Sequence, residues 1–223
     1  MKTIPVLLSF ALLSSAATPR SEQFRYQLNW PSGISLGEGQ MKAIETEGQW
    51  KLELTMEASI PGFQIIDRFN STLNASLCSV EFERDFIHGS RKSKEKTTFD
   101  LTAATAKRQT DGGGGSSEIS TSACPHDALG FLFYARRELI AGRVPQLQPV
   151  YAGGAYQLRM ELLGTQTITI GGVATQADCY RISAKGSASN ATFEVLFAKD
   201  EFRTPLLVRV PFALGTFTME LIP

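Results

Sequence analysis

The sequence predicts an all-β protein in which a curled antiparallel meander forms a barrel or half-barrel, with one α-helix packed in or near its concave face. Three observations lead to this fold class: apolar and polar residues alternate over many short segments, turn residues separate these segments, and one longer segment has helical signals instead. Strands of ordinary length joined by short turns would fill the chain with about ten to twelve strands. An open sheet of that size would expose long edges, so we expect the sheet to curl.

The strand predictions rest on strict alternation of apolar and polar side chains. In the first segment Phe24, Tyr26, Leu28 and Trp30 are apolar, and the residues between them are polar. The same period of two returns in segments 50–57, 156–162, 193–197, 206–212 and 217–221. Such alternation is typical of a strand with one face in the core and the other in water. Turns that contain glycine or proline separate successive segments and favour an antiparallel meander.

One segment lacks this alternation and predicts a helix over residues 128–141. Asp127 precedes the segment as a candidate N-cap, and Gly142 follows it as a candidate C-cap glycine. The first two turns are apolar almost all the way round, which favours burial on more than one side.

The placement of this helix has two alternatives. A helix that fills the concave face of the sheet would bring Leu132 and Phe133 against strand residues such as Leu158 or Val208. A helix at the rim would instead gate a cavity.

Residues 103–122 are predicted to form a flexible loop, because four successive glycines occupy positions 112–115. A nucleotide-binding loop is not predicted here. The Lys-Ser/Thr pair that follows the glycines in a phosphate-binding loop is missing, and no helix pattern begins after them.

The amino-terminal residues 1–17 have the pattern of a secretory signal peptide. Lys2 precedes an apolar run at 4–13, and small residues occupy 14–17. The apolar run is too short to span a bilayer, which needs roughly 20 apolar residues. We therefore predict an exported protein, periplasmic or extracellular, that has no transmembrane segment and whose residues 18–223 form a single domain.

The three cysteines are interpreted in the light of export. An oxidising compartment favours one disulfide and one remaining thiol. Cys124 lies in the loop just before the predicted helix, whereas Cys179 falls inside an apolar strand pattern and is expected to be a small core residue. We therefore predict that Cys78 pairs with Cys124.

Composition and motifs narrow the function classes. Lysine plus arginine equals aspartate plus glutamate at 22 each, so no basic surface for nucleic acid is predicted. With two histidines and three widely spaced cysteines, neither a metal site nor a cofactor is predicted. The catalytic alternative is a hydrolase that uses His126, Asp127 and Tyr134, although the sequence has no Gly-x-Ser-x-Gly motif. Because Asp127 is explained as an N-cap, we favour a non-catalytic protein.

The segment Cys-Pro-His-Asp-Ala-Leu-Gly-Phe-Leu-Phe-Tyr-Ala-Arg-Arg at 124–137 resembles the helix motif of the DUF3108 family of exported bacterial proteins. Further segments are similar to that family: 24–30 with Gly37 after it, 99–100, 197–206 and 215–221. The family has no known function, so the resemblance implies the fold and export and supplies no catalytic residues. The run of glycines and the cysteines depart from the family pattern.

The 14 phenylalanines form either a filled core or the wall of an apolar cavity for a lipid or similar hydrophobic molecule. Tyr134 and Arg136 on the predicted helix are the candidate ligand-binding residues. A buried arginine needs a carboxylate partner, for which Asp200 and Glu161 are candidates. The leading hypothesis is a non-catalytic exported protein that binds a hydrophobic ligand or an envelope partner. The alternatives are the hydrolase and a purely structural envelope component.

Overall fold

The computed structural model describes residues 21–60, 62–112, 114–187, 189–212 and 215–223, so the predicted signal peptide lies outside the described residues. The strands are, in chain order, β1 (Ser21–Asn29), β2 (Ser35–Thr46), β3 (Gln49–Ile60), β4 (Phe63–Leu73), β5 (Ser79–His88), β6 (Arg91–Asp100), β7 (Thr105–Thr110), β8 (Ser116–Ser120), β9 (His126–Asp127), β10 (Gln148–Tyr151), β11 (Ala155–Ile170), β12 (Val173–Gly186), β13 (Asn190–Ala198), β14 (Pro205–Phe212) and β15 (Gly215–Ile222). The helix α1 (Ala128–Ile140) lies between β9 and β10.

All fifteen strands belong to one sheet, in the order β8-β7-β6-β5-β4-β3-β2-β1-β15-β14-β13-β12-β11-β10-β9. Neighbouring strands are antiparallel except for the short parallel pair β9 and β10. The two terminal strands pair in the middle of the sheet, where Tyr26 of β1 lies opposite Leu221 of β15. This confirms the prediction of a mostly β, curled antiparallel meander, which is a half-barrel because its edges do not pair. The strand number exceeds the expected ten to twelve.

Part of that difference comes from the segment 103–122, which was predicted to be a loop. It contains β7 and β8, which pair so that Gln109 lies opposite Ser116. Gly112, Gly114 and Gly115 lie between these strands, where the backbone N–H of Thr110 donates to the carbonyl of Gly115 at 3.1 Å. The loop prediction was therefore wrong for this segment. An edge hairpin with mostly polar side chains on both faces lacks the apolar alternation by which the other strands were recognised.

Helix α1 lies against the concave face and joins two clusters of the core. Phe133 packs in the first cluster, where its ring centroid is 5.9 Å from that of Trp50 in β3. Phe131 belongs to the second cluster, together with Leu158 of β11. Leu132 packs against both clusters. The helix therefore packs into the core of the concave face, as in the first alternative, but Phe133 faces the opposite half of the sheet from the one expected.

The two edges of the sheet, β8 and β9, lie close together without a backbone ladder. Residues 121–125 alone connect them, so their ends are no more than about 20 Å apart. Side chains bridge this seam: the Tyr151 hydroxyl donates to the carbonyl of Ser120 at 3.2 Å, and Arg108 donates to the carbonyl of Gly153. A disulfide between Cys78 and Cys124 ties the turn after β4 to the segment before β9. Cys179 is a buried free thiol.

Candidate functional site

The start of helix α1 holds the most buried polar cluster of the fold. Asp127 is fully buried, and its Oδ1 accepts from the backbone N–H groups of Leu129 at 2.8 Å and Gly130 at 2.9 Å. Its Oδ2 accepts from the hydroxyls of Ser71 at 2.5 Å and Ser79 at 2.7 Å. A Cβ atom on Gly130 would lie 2.9 Å from the Ser79 hydroxyl oxygen, so glycine lets the first turn approach the serines. Asp127 is thus an N-cap that also binds two strands.

The residues of the hydrolase alternative lie together but do not form a relay. Complete burial raises the pKa of the Asp127 carboxyl, and the four hydrogen bonds that it accepts oppose this rise. Nδ1 of His126 bonds to the carbonyl oxygen of Leu77 at 3.2 Å, and its ring stacks on Tyr134 with centroids 4.5 Å apart. Burial lowers the pKa of His126. Because Asp127 does not bond to His126, it cannot orient the imidazole as a catalytic acid would.

Arg136, one of the two candidate ligand-binding residues, is buried and forms a bidentate ion pair with Glu22 of β1. Its Nε and one terminal nitrogen also donate to the carbonyls of Phe202 and Arg203. The carboxylate partner is therefore neither of the two expected residues. Asp200 bonds instead to the backbone and hydroxyl of Thr204 within its own turn.

The expected partner Glu161 is exposed on β11, on the face of the strand opposite to the one that packs on the helix. Tyr134, the other candidate, is partly buried, and the Arg137 guanidinium lies 5.6 Å from its ring centroid. Burial raises the pKa of the Tyr134 hydroxyl. The Arg136 guanidinium is therefore used within the fold, and neither Tyr134 nor Arg136 lines a cavity in the described part of the chain.

A cavity of about 760 Å³ lies at the opposite end of the concave face from Asp127. Its apolar wall consists of Phe63 and Phe69 of β4 and Phe86 of β5. Charged groups of the same strands, with Ser90 and with Arg91 of β6, complete the lining. The turn after β5 is shaped to this wall: Gly89 has a φ of +60°, and a Cβ atom there would lie 2.7 Å from the Phe63 ring.

The charged groups of the cavity are only partly paired. Nε2 of His88 lies 2.8 Å from Oδ1 of Asp67, and a terminal nitrogen of Arg84 lies 3.2 Å from Oε2 of Glu95. Arg84 also donates to the carbonyl of Ala152 across the seam at 3.1 Å. Nε of Arg84 is buried and makes no hydrogen bond.

The cavity could not be predicted from the sequence because its strands lack the alternation of apolar and polar residues. On β5 the concave face carries Phe82, Arg84, Phe86 and His88, so apolar and charged residues share one face. The only available signal was this mixture, which by pattern alone is typical of an irregular segment.

A second cavity, of about 470 Å³, lies at the other half of the sheet and is lined by residues of β11 to β15 and of the turn between β13 and β14. Its lining includes Ile170, Ala198, Lys199 and Leu206. Across the described parts of the chain, no three His, Cys, Asp or Glu side chains come together as metal ligands. In those same parts, no helix is long and apolar enough to cross a membrane.

The model of the family "Protein of unknown function (DUF3108)" matches residues 25–222. The chain belongs to the DUF3108 family. Three of the segments that carried the resemblance in this DUF3108 protein, 24–30, 124–137 and 197–206, meet around Arg136, whose guanidinium lies 5.7 Å from the Phe24 ring and bonds to the carbonyl of Phe202. The cavity residues Phe63, Phe69 and Phe86 lie outside those segments.

Solved structures place the fold among β-barrel-like proteins. The crystal structure of a β-barrel-like protein of the domain of unknown function DUF1849 from Brucella abortus has a TM-score of 0.66 and 6% identity, over 92% of this chain and 97% of that chain. A putative lipoprotein from Parabacteroides distasonis has 8% identity over 92% of this chain and 95% of that chain, but its TM-score of 0.32 supports no conclusion. No curated protein sequence matches the chain.

Proposed function

We propose that this DUF3108 protein is an exported, non-catalytic binding protein that takes an apolar or amphipathic small molecule into the cavity of β4, β5 and β6. The observation that carries the proposal is the cavity itself. Its volume of about 760 Å³ falls within the range of small-molecule sites, roughly 300–1,000 Å³. Three phenylalanine rings with a few charged groups are the usual lining of such a site.

The distribution of reactive groups supports binding rather than hydrolysis. The oxygens of Asp127 accept four hydrogen bonds from the helix and from two strands. His126 lies beside Tyr134 in the same closed region and does not border the cavity. A ligand in the cavity would therefore contact none of the three candidate hydrolase residues His126, Asp127 and Tyr134.

Export is supported by the disulfide, because such bonds persist in oxidising compartments. It is also supported by the signal-peptide pattern of residues 1–17. Expression of the chain from Met1 in a bacterial host should give a periplasmic protein. Its intact mass should correspond to a mature chain that begins near Ala17 or Thr18. A mass that retains residues 1–16, or that includes a diacylglycerol group, would contradict this part of the proposal.

The binding proposal is tested by titration with the neutral fluorescent probe N-phenyl-1-naphthylamine. Phe86→Ala should weaken probe binding by about tenfold, because it removes a ring worth about 1.5–3 kcal/mol of burial when fully covered. Ile44→Ala is the matched control, since Ile44 is an exposed apolar residue of β2 outside the cavity. Absence of saturable binding by the unaltered protein would refute the proposal and favour a purely structural role or a protein partner in the envelope.

A further inference from the structure

The concave face of β4 to β7 carries an excess of positive charge at the cavity end. Register places Asp67 opposite Phe86, Arg84 opposite Glu95, and His88 opposite Arg91 on this face. Arg108 of β7 follows on the same face, opposite Thr97. This face therefore carries three arginines, Arg84, Arg91 and Arg108, and two carboxylates, Asp67 and Glu95. This local excess contrasts with the whole chain, which has 22 basic and 22 acidic residues.

Asp85 also borders the cavity but does not cancel this excess. It lies between two cationic cross-strand neighbours, Arg68 of β4 and Lys94 of β6. Alternation along β5 directs its side chain to the convex face, away from Arg84 and Phe86.

Arg91 is the cation of this face that is most available to a ligand. It is exposed and borders the cavity, and it has no ion pair or side-chain hydrogen bond among the described residues. Arg84 lies deeper, where its guanidinium is 5.7 Å from the Phe86 ring centroid and its Nε has no partner. Together they place hydrogen-bond donors and positive charge beside an aromatic wall.

We infer that the ligand is a single-chain amphiphile with an anionic carboxylate or phosphate head group, held by Arg91 at the mouth with Arg84 behind it. The hydrocarbon chain lies against Phe63, Phe69 and Phe86, which offer no hydrogen bonds. The anionic head group takes the donors of exposed Arg91, and the Arg84 guanidinium behind it adds positive charge. This inference rests on the proposed function and adds the charge of the ligand.

The test compares three twelve-carbon ligands as displacers of N-phenyl-1-naphthylamine from the purified full-length mature chain: dodecanoate, dodecyl phosphate and dodecan-1-ol. Both anions should bind at least about tenfold more tightly than the alcohol, because hydrogen bonds to charged groups are the strong ones. Arg91→Gln should bring this ratio close to one. Lys92→Gln is the matched control, because it removes the same charge from the neighbouring exposed residue on the convex face and should leave the ratio unchanged.

The outcomes separate the two proposals. Equal affinity of the unaltered protein for the alcohol and both anions overturns the charge inference and leaves the proposed function standing. A preference for the anions that survives Arg91→Gln overturns the role of Arg91. A preference for one anion identifies the head group as carboxylate or phosphate. Failure of the neutral probe and of all three ligands to bind overturns the proposed function as well.

Discussion

Asp127 of the edge strand β9 and Ser79 of β5 exchange two hydrogen bonds. The backbone N–H of Asp127 donates to the Ser79 hydroxyl oxygen at 2.7 Å, and this hydroxyl donates to Oδ2 of Asp127 at 2.7 Å. The backbone N–H of Ser79 also donates to the carbonyl of Pro125 at 2.8 Å. Strand β5 and the edge strand β9 are far apart in the order of the sheet, so these bonds hold two distant parts of the curled sheet together.

Asp127→Ala should destabilise the fold by more than the loss of an N-cap, which costs about 1 kcal/mol. It would also leave the buried hydroxyls of Ser71 and Ser79 without their acceptor, at about 1–3 kcal/mol for an unsatisfied group. Urea unfolding followed by circular dichroism measures the change. Asp100→Ala is the control, because exposed Asp100 accepts two backbone N–H groups but no buried hydroxyl, and it should lose less. Equal losses for both variants would contradict a role of Asp127 beyond capping.

Arg136→Met should lower the free energy of unfolding by about 3–5 kcal/mol, because it leaves the Glu22 carboxylate buried without a partner. Arg136→Lys should not restore stability, since a lysine cannot bind a carboxylate in two places and also reach two carbonyls. Arg68 supplies the control, because it forms a solvent-exposed ion pair with Glu57. Arg68→Met should lower the free energy of unfolding by at most about 1 kcal/mol. A stable Arg136→Met variant would show that this ion pair is not needed to hold helix α1 to β1.

Replacing both Cys78 and Cys124 by serine should cost roughly 4 kcal/mol by the chain-entropy model, given a sequence separation of 46 residues. Guanidinium unfolding of the variant and of the unaltered protein measures the difference. Cys179→Ser tests the remaining thiol and should leave the bond intact in peptide mapping under non-reducing conditions. Detection of Cys179 in a disulfide would contradict the pairing in the structure.

The long alternating strands could be predicted from the sequence because each strand buries only one face, which places apolar residues at every second position. The pairing of β1 with β15 could not, since it depends on where a sheet closes rather than on any local pattern. Hairpin β7–β8 was not predicted either, because its side chains are mostly polar and show no local pattern of burial. It forms by pairing with β6.

The candidate site shows a similar division. The capping role of Asp127 follows from its type and its place before an apolar helix, but its bonds to Ser71 and Ser79 join residues 56 and 48 positions away in the chain. The expected carboxylate partners of Arg136 were Asp200 and Glu161, whereas the partner is Glu22 of β1, 114 positions away in the chain. Cavity residues such as Arg84 and Phe86 require the register of three strands before they can be placed on one face.

Phe133→Ala should destabilise the protein by about 3–5 kcal/mol, because the Phe133 ring is buried against Trp50 in the main core cluster. The affinity for N-phenyl-1-naphthylamine should stay unchanged at temperatures where the variant is folded, because Phe133 does not border the cavity. Phe86→Ala should show the reverse pattern, with a small change in melting temperature and weaker probe binding. Loss of probe binding in folded Phe133→Ala would place the binding site at the helix instead.

The burial of His126 makes stability depend on pH. Burial lowers the pKa of the folded-state imidazole, so in the window between its folded and unfolded pKa values the unfolded chain binds more protons than the folded one. His126 therefore costs no stability at pH values above its unfolded-state pKa of about 6.5, and stability is lost as the pH decreases below that pKa.

The urea concentration at the unfolding midpoint should decrease when the pH is lowered from 8 to 5.5. His126→Gln keeps a donor for the Leu77 carbonyl and should make this decrease smaller. His88→Gln removes the other histidine and serves as the control, because its ring lies in the open cavity beside Asp67 and not in the core. An unchanged pH dependence in His126→Gln would show that the imidazole is not the group that titrates.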